Sequence, residues 1–268
     1  MTKSLTLITT LLFFHFGISQ QIDLSEWKRD SIPNSLEKLS EANNSKKRWC
    51  FTKSNDSIII VENKYKRVNG DTLPFPIDSI KYISGTKYIK SVYNGYLVGY
   101  NHGEFGGGLK YVSIFNDYDY NVELIDKRDE WKYPYVPKNV KDIFEFNNKI
   151  YVTRGLAHLI DGNGGLFEVV YKNGKWNYKF ISKLPGTPDI TFEENNSLYI
   201  ITTQHILRYD KNGKMTMLLK SPFYWGYLYP TNSFIKNNDI YLAMRKGILI
   251  IRDFESKPKY EWYLKKIL

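Results

Sequence analysis

The stretch Ile143-Phe144-Glu145-Phe146-Asn147-Asn148-Lys149-Ile150-Tyr151-Val152 decides the fold. Two short β-prone runs flank an Asn-Asn pair. Asn tolerates the positive φ that a two-residue hairpin turn requires, so the stretch predicts a tight β-hairpin. The pattern returns around Asn195-Asn196, ahead of Leu198 and Tyr199, and again around Asn237-Asn238, ahead of Ile240 and Tyr241. Weaker copies surround Asn94-Gly95 and Asn55-Asp56.

The turn residues Asn55, Asn94, Asn147, Asn195 and Asn237 are spaced by 39, 53, 48 and 42 residues. Several copies carry a second turn, at Asn173-Gly174 and at Asn212-Gly213. Two turns per copy predict four strands. In the third copy these are 142–146, 149–153, 165–171 and 175–182, and in the fourth 189–193, 197–202, 205–210 and 214–219. The fifth gives 231–235, 239–244, 247–252 and 259–266. The second gives 88–93, 96–101, 108–115 and 120–126. The first, beginning near Arg48, is the least regular.

Four-stranded units recurring at this interval resemble the repeats of β-propellers. Residues 206–214 and 246–253 are similar to the outer hairpins of such repeats. The Trp-Asp dipeptides and the Ser-x-Asp-x-Gly-x-Thr-Trp box of particular propeller families are absent from the sequence. Gly164-Gly165 with Tyr171 and Trp176 resembles a kelch repeat, but at a different spacing. The resemblance implies an all-β chain with a propeller over residues 48–268. Five four-stranded blades are expected, with six as the alternative and an open sandwich as the other arrangement. Residues 20–47 differ in character. Asn34 and Glu37 form a capping-box spacing ahead of Leu36 and Leu39, which predicts a short helix serving as a cap.

Composition agrees with a folded chain: of 268 residues, 42% are hydrophobic, 25% charged and 16% aromatic. The net charge is +10. The basic residues are dispersed and form no stripe, so acidic glycans or anionic surfaces are expected to attract the chain, whereas a nucleic-acid partner is not. Cys50 is the single cysteine, which excludes an internal disulfide and a thiolate metal cluster. Residues 1–19 read as a signal peptide: Lys3 precedes an apolar stretch from Leu5 to Phe16, and Gly17 and Ser19 suit a cleavage site. The stretch is shorter than a membrane span, and no Cys follows it to carry a lipid. Export to the periplasm or the medium is expected, with a monomeric mature chain.

In propellers the loops between second and third strands, and those between sheets, open on the usual ligand face, and the resemblance places three features there. The first is the loop from Asn101 to Gly108, with His102, Glu104 and three consecutive glycines. It reads either as a backbone cradle for an anion or sugar, or as a bulged hairpin that needs glycine anyway. The second is a set of histidines: His102, His158 and His205 lie 8 to 11 residues after their turn Asn. Three converging imidazoles would suit zinc, and Asp161 opens a run resembling part of a calcium loop; a polar turn explains that run equally well. The third feature is aromatic. Trp131, Tyr133 and Tyr135 lie in one connection, and Phe223, Tyr224, Trp225, Tyr227 and Tyr229 in another, with Arg154 and Arg245 nearby. These rings either stack on a sugar or partner, or fill the seams between sheets.

The expected function is a non-catalytic binding module recognising a glycan or a protein through His102, Glu104, Trp131, Arg154, His158, His205, Trp225 and Arg245, with no cofactor. The alternative is a carbohydrate hydrolase using two carboxylates. Glu104 and Asp189 are its expected pair, drawn from Glu104, Asp142, Asp161 and Asp189.

Overall fold

A computed structural model describes residues 22–54, 57–125, 136–158 and 161–266. The chain opens with strand β1 (Trp27–Asp30) and helix α1 (Leu36–Asn43). A hairpin of β2 (Trp49–Ser54) and β3 (Ser57–Glu62) follows. Next come β4 (Val68–Gly70), β5 (Thr86–Val92), β6 (Gly95–Asn101), β7 (Gly107–Ser113), β8 (Asp119–Asn121) and β9 (Glu123–Leu124). The third repeat holds β10 (Val140–Phe146), β11 (Lys149–His158), β12 (Asp161–Lys172) and β13 (Lys175–Leu184). The fourth holds β14 (Pro188–Glu194), β15 (Ser197–Thr202), β16 (His205–Asp210) and β17 (Met215–Lys220). The last holds β18 (Asn232–Lys236), β19 (Asp239–Ala243), β20 (Gly247–Arg252) and β21 (Lys259–Lys265).

The described strands fall into five mainly antiparallel sheets, with parallel strand pairs only at β4–β5 and β9–β13 among the described residues, and α1 is the single α-helix among them. The turn chemistry behaves as expected. Asn147 and Asn148 have φ of 50° and 57°, Asn195 and Asn196 of 50° and 55°, and Asn237 and Asn238 of 50° and 64°. Both central residues of these hairpins are therefore left-handed, the conformation that matches strand twist. Asn55 and Asp56 lie outside the described residues.

Three features add to or depart from the expected strands. The expected outer strand 120–126 of the second repeat divides: β8 pairs with β7, whereas β9 crosses to pair in parallel with β13 of the next sheet. The first repeat forms only the β2–β3 hairpin among the described residues. The N-terminal segment also supplies a strand: β1 pairs antiparallel with β21 and becomes the outer strand of the last sheet. Helix α1 forms as expected, with Ser35 rather than Asn34 as its N-cap, its hydroxyl accepting from the Lys38 amide. Leu39 and Ala42 of α1 are buried with Trp225, Leu228, Leu242 and Leu249, so the helix seals one face of the last two sheets. The strands buried on both faces carry the core: Ile248, Leu249, Ile250 and Ile251 are fully buried in β20. Each such side chain contributes roughly 1.5–3 kcal/mol of burial. No described helix is long and apolar enough to cross a membrane.

The first strands of the sheets stand side by side. β10 touches both β5 and β14, β14 touches β18, and β18 touches β2. Asn232 joins the last pair, its side chain accepting from the Phe51 amide at 2.9 Å and donating to the Phe51 carbonyl at 2.7 Å. On the other side, the Tyr65 hydroxyl, just after β3, meets the Thr86 hydroxyl of β5. All five sheets thus contribute to one central arrangement.

Candidate functional site

Where these first strands begin lies a cavity of 740 Å³. Tyr88 of β5, Lys141 and Asp142 of β10, Asp189 and Thr191 of β14, and Asn232 of β18 face it, with Arg48 and the segment 63–66 at its mouth. The strands aim these side chains inward through two bulges. In β10 the register with β11 passes from Val140 to Asp142 and skips Lys141. In β14 the register with β15 passes from Pro188 to Ile190 and skips Asp189. A bulge frees one residue from the ladder and re-aims it. The two freed residues meet: Lys141 Nζ donates to Asp189 Oδ1 at 3.2 Å.

The neighbouring carboxylate is held differently. Asp142 Oδ1 accepts from the Ile143 amide at 2.9 Å, and Oδ2 accepts from the Thr191 hydroxyl. Burial pushes the pKa of Asp142 up against these hydrogen bonds, which act to lower it. Burial also pushes Asp189 up, and Lys141 opposes that. Asp189 Oδ2 is buried without a hydrogen-bond partner. The Tyr88 phenol is raised by burial first and by both carboxylates as lesser causes. The floor of the cavity thus carries two acids that resist ionisation and one compensating ammonium.

The mouth is cationic. Arg48, Lys64 and Lys66 line it, and none has a carboxylate partner among the described residues. The Arg48 guanidinium lies 5.5 Å from the ring centre of Tyr65 and 5.4 Å from that of Tyr229. Arg245 stacks on the same Tyr229 ring at 4.2 Å and donates to the Asn43 carbonyl. Burial lowers the pKa of Arg245, and the nearby Arg48 lowers it further. Tyr229 itself is left-handed, with φ of 47°, an uncommon conformation that places its ring between two guanidinium groups.

Of the residues expected from sequence, Asp189 lines this cavity, whereas Glu104 does not; Asp142 does. His102 precedes the short turn Gly103–Phe105 that carries Glu104, and its ring lies 5.2 Å from Phe105. Asn139 ties the glycine loop down: its Nδ2 donates to the carbonyls of Gly103 and Gly106 at 2.7 and 2.8 Å and to Asn101 Oδ1 at 2.9 Å. A Cβ at Gly107 would stand 2.5 Å from the Asn139 Cα, so close approach within the fold explains this glycine.

Three expected binding residues are buried and hydrogen-bonded within the fold. Trp225 is fully buried in the core beside Phe223, and its Nε1 donates to the Thr202 carbonyl at 2.6 Å. His205 is 8% exposed, with Nδ1 3.3 Å from the Thr202 hydroxyl, and burial lowers its pKa. Arg154 is buried, donating to the Val136 and Pro137 carbonyls and to the Tyr178 hydroxyl. His158 and Asp161 are register partners across the β11–β12 hairpin; their side chains lie outside the described residues, as do Trp131, Tyr133 and Tyr135. Among the described residues no three His, Cys, Asp or Glu side chains gather as a metal site.

Arg48, Tyr65, Tyr88 and Lys141 were not anticipated. A usable signal existed for one of them: Lys141 and Asp189 each precede their turn Asn by six residues, at Asn147 and Asn195. Equivalent positions of opposite charge in neighbouring repeats mark a pair that can meet at the centre.

No family model matches the chain, and no curated protein matches it. Among solved structures, the chain is similar to the extracellular domain of a proposed one component system from B. thetaiotaomicron, at 13% identity and a TM-score of 0.43, over 80% of this chain and 26% of that one. It is similar to the tricorn protease at 12% identity and a TM-score of 0.31, over 62% of this chain and 21% of that one. The chain thus spans about a quarter or less of the length of these structures.

Proposed function

We propose that the chain is a β-propeller, its five sheets arranged as blades around the central cavity, and that it is an exported binding module for an acidic glycan. The observation that carries the reading is the cavity mouth. Three cations without carboxylate partners among the described residues stand over a hollow lined by phenols, amides and hydroxyls, with Lys141, Asp142 and Asp189 on its floor. An unpaired cationic rim steers and holds an anion, and rings with polar tips suit the faces and hydroxyls of a sugar. The residues 1–19 supply the export half of the proposal. The cavity volume lies within the range of small-ligand pockets, about 300–1,000 Å³.

Oligogalacturonate is the probe. Arg48→Ala is expected to weaken its binding about ten- to a hundredfold by titration calorimetry, in line with roughly 1.5–3 kcal/mol for a hydrogen bond to a charged group. Native binding should fall steeply as salt rises, and more shallowly in the variant. Equal affinity of the two proteins with a flat salt response would sink the anion reading.

A second reading rests on Asp142 and Asp189, two carboxyl groups sharing one cavity, of which a hydrolase would use one protonated as general acid and the other ionised as base or nucleophile. It replaces Glu104 with Asp142 as the second acid. Under this reading, incubation releases new reducing ends from the probe and Asp142→Asn abolishes that release while binding persists. Recovery of the intact probe from the native protein leaves the binding module.

A further inference from the structure

A second hollow lies on the opposite face. The Tyr93-Asn94 turn joins β5 to β6 at the end away from Thr86 and Asn101, which border the central cavity. Beside that turn, Tyr93, Tyr111, Tyr118, Tyr120, Tyr171 and Lys175 enclose a volume of 310 Å³ between the second and third sheets. Two of the rings are fixed. Tyr111 donates from its hydroxyl to the Asn94 carbonyl at 2.6 Å, and the Tyr120 hydroxyl accepts from the Trp176 amide at 2.8 Å. Their ring centres are 5.1 Å apart. The other three are held in water: Tyr93 is 72% exposed, and Tyr118 and Tyr171 are each 54% exposed. Rings that fill a seam are buried by it. Rings that surround a hollow and stay wet are placed for something that enters.

We propose that this hollow binds a sugar ring bearing a carboxylate, as a glycan subsite separate from the central cavity. The flat faces of Tyr118 and Tyr171 offer stacking surface, and their hydroxyls offer hydrogen bonds. Lys175 is the charged side chain of the lining and has no carboxylate partner among the described residues. Its ammonium sits 5.8 Å from the ring centre of Tyr120, in the position that a ligand cation would need. An aromatic cage for a quaternary ammonium is therefore disfavoured, and a carboxylate is favoured. The inference is independent of the cavity reading. Two subsites on opposite faces would let one long acidic polymer bridge several copies of the chain, raising avidity without new contacts.

The test uses trigalacturonate, neutral trigalactose and tetramethylammonium as probes, on the Arg48→Ala protein. Binding of trigalacturonate is expected to survive there, with the sugar ring protons showing the strongest saturation transfer from the protein. Adding Tyr171→Ala or Tyr118→Ala is expected to weaken it about tenfold, which is roughly 1.4 kcal/mol. Adding Lys175→Ala is expected to erase the preference for trigalacturonate over trigalactose. These side chains are exposed, and an unchanged melting temperature confirms that each variant is folded. Loss of all binding in Arg48→Ala, indifference to both tyrosine variants, or capture of tetramethylammonium in place of the uronate would overturn the proposal. If Tyr171→Ala abolishes binding to the native protein and Arg48→Ala does not, the hollow stands and the cavity reading falls.

Discussion

Trp225→Ala is expected to lower the melting temperature by roughly 10 °C or more and to leave the affinity for oligogalacturonate unchanged at temperatures where the variant is folded. Trp225 has no exposed surface. It packs among Phe223, Leu228, Leu242 and Leu249, with Leu39 and Ala42 of the N-terminal helix in the same cluster. Truncation opens a cavity between α1 and the last two sheets and removes the donor to the Thr202 carbonyl. A buried Trp→Ala change costs about 3–5 kcal/mol, and each kcal/mol moves the midpoint roughly 2–4 °C for a chain of this size. Trp225→Phe is the milder change: it keeps one aromatic ring in the core and loses the donor and part of the indole volume, so a smaller drop than for Trp225→Ala is expected. The opposite pattern, an unchanged midpoint with weakened glycan binding, would return Trp225 to the ligand face where its sequence context first placed it.

That contrast shows where sequence reading succeeds and where it stops. The hairpins were legible because Asn-Asn and Asn-Gly turns impose a local backbone requirement, and the left-handed φ values at Asn147, Asn148, Asn195 and Asn196 are its direct expression. Strand limits in the third, fourth and fifth repeats follow from those turns within a few residues. Side-chain direction is another matter. His205 and Trp225 fall at the expected loops, yet both turn inward, since loop position says nothing about which face a residue takes. Lys141 and Asp189 point to the centre because a bulge removes each from the alternation, and a period-two pattern cannot announce its own interruption. Arg48 and Tyr65 are brought to the cavity by the closure of the chain ends, through β1 on β21 and the Arg48–Arg245 bridge. Such long-range pairing leaves no local trace. Likewise the strand expected over 120–126 divides because β13 offers an open edge to β9, a competition visible only once both sheets exist.

Lys141→Met is the sharper test of the cavity floor. Removing the ammonium leaves Asp189 with Oδ1 unpaired beside an Oδ2 that already lacks a partner. The loss at neutral pH is expected to be about 1–3 kcal/mol, below the value for fully buried pairs because both side chains keep some contact with water. The pH dependence identifies the cause. Burial already holds the folded pKa of Asp189 above its ordinary value of 3.8, and Lys141 restrains that rise. Without Lys141 the folded pKa climbs further. As pH increases past 3.8, the unfolded chain releases its proton first, so folding stability declines until the folded carboxyl has also ionised. Below that window both states are protonated and the variant should match the native protein; above it the deficit should be complete. The pair Lys141→Met with Asp189→Asn removes both charges and is expected to recover most of the loss, which gives a coupling energy by double-mutant cycle. A deficit that stays constant across pH, or that Asp189→Asn fails to relieve, would mean that Lys141 acts through the packing of its methylenes rather than its charge. The two bulges would then be features of strand geometry alone, and the acidic floor would no longer be a charge-balanced site.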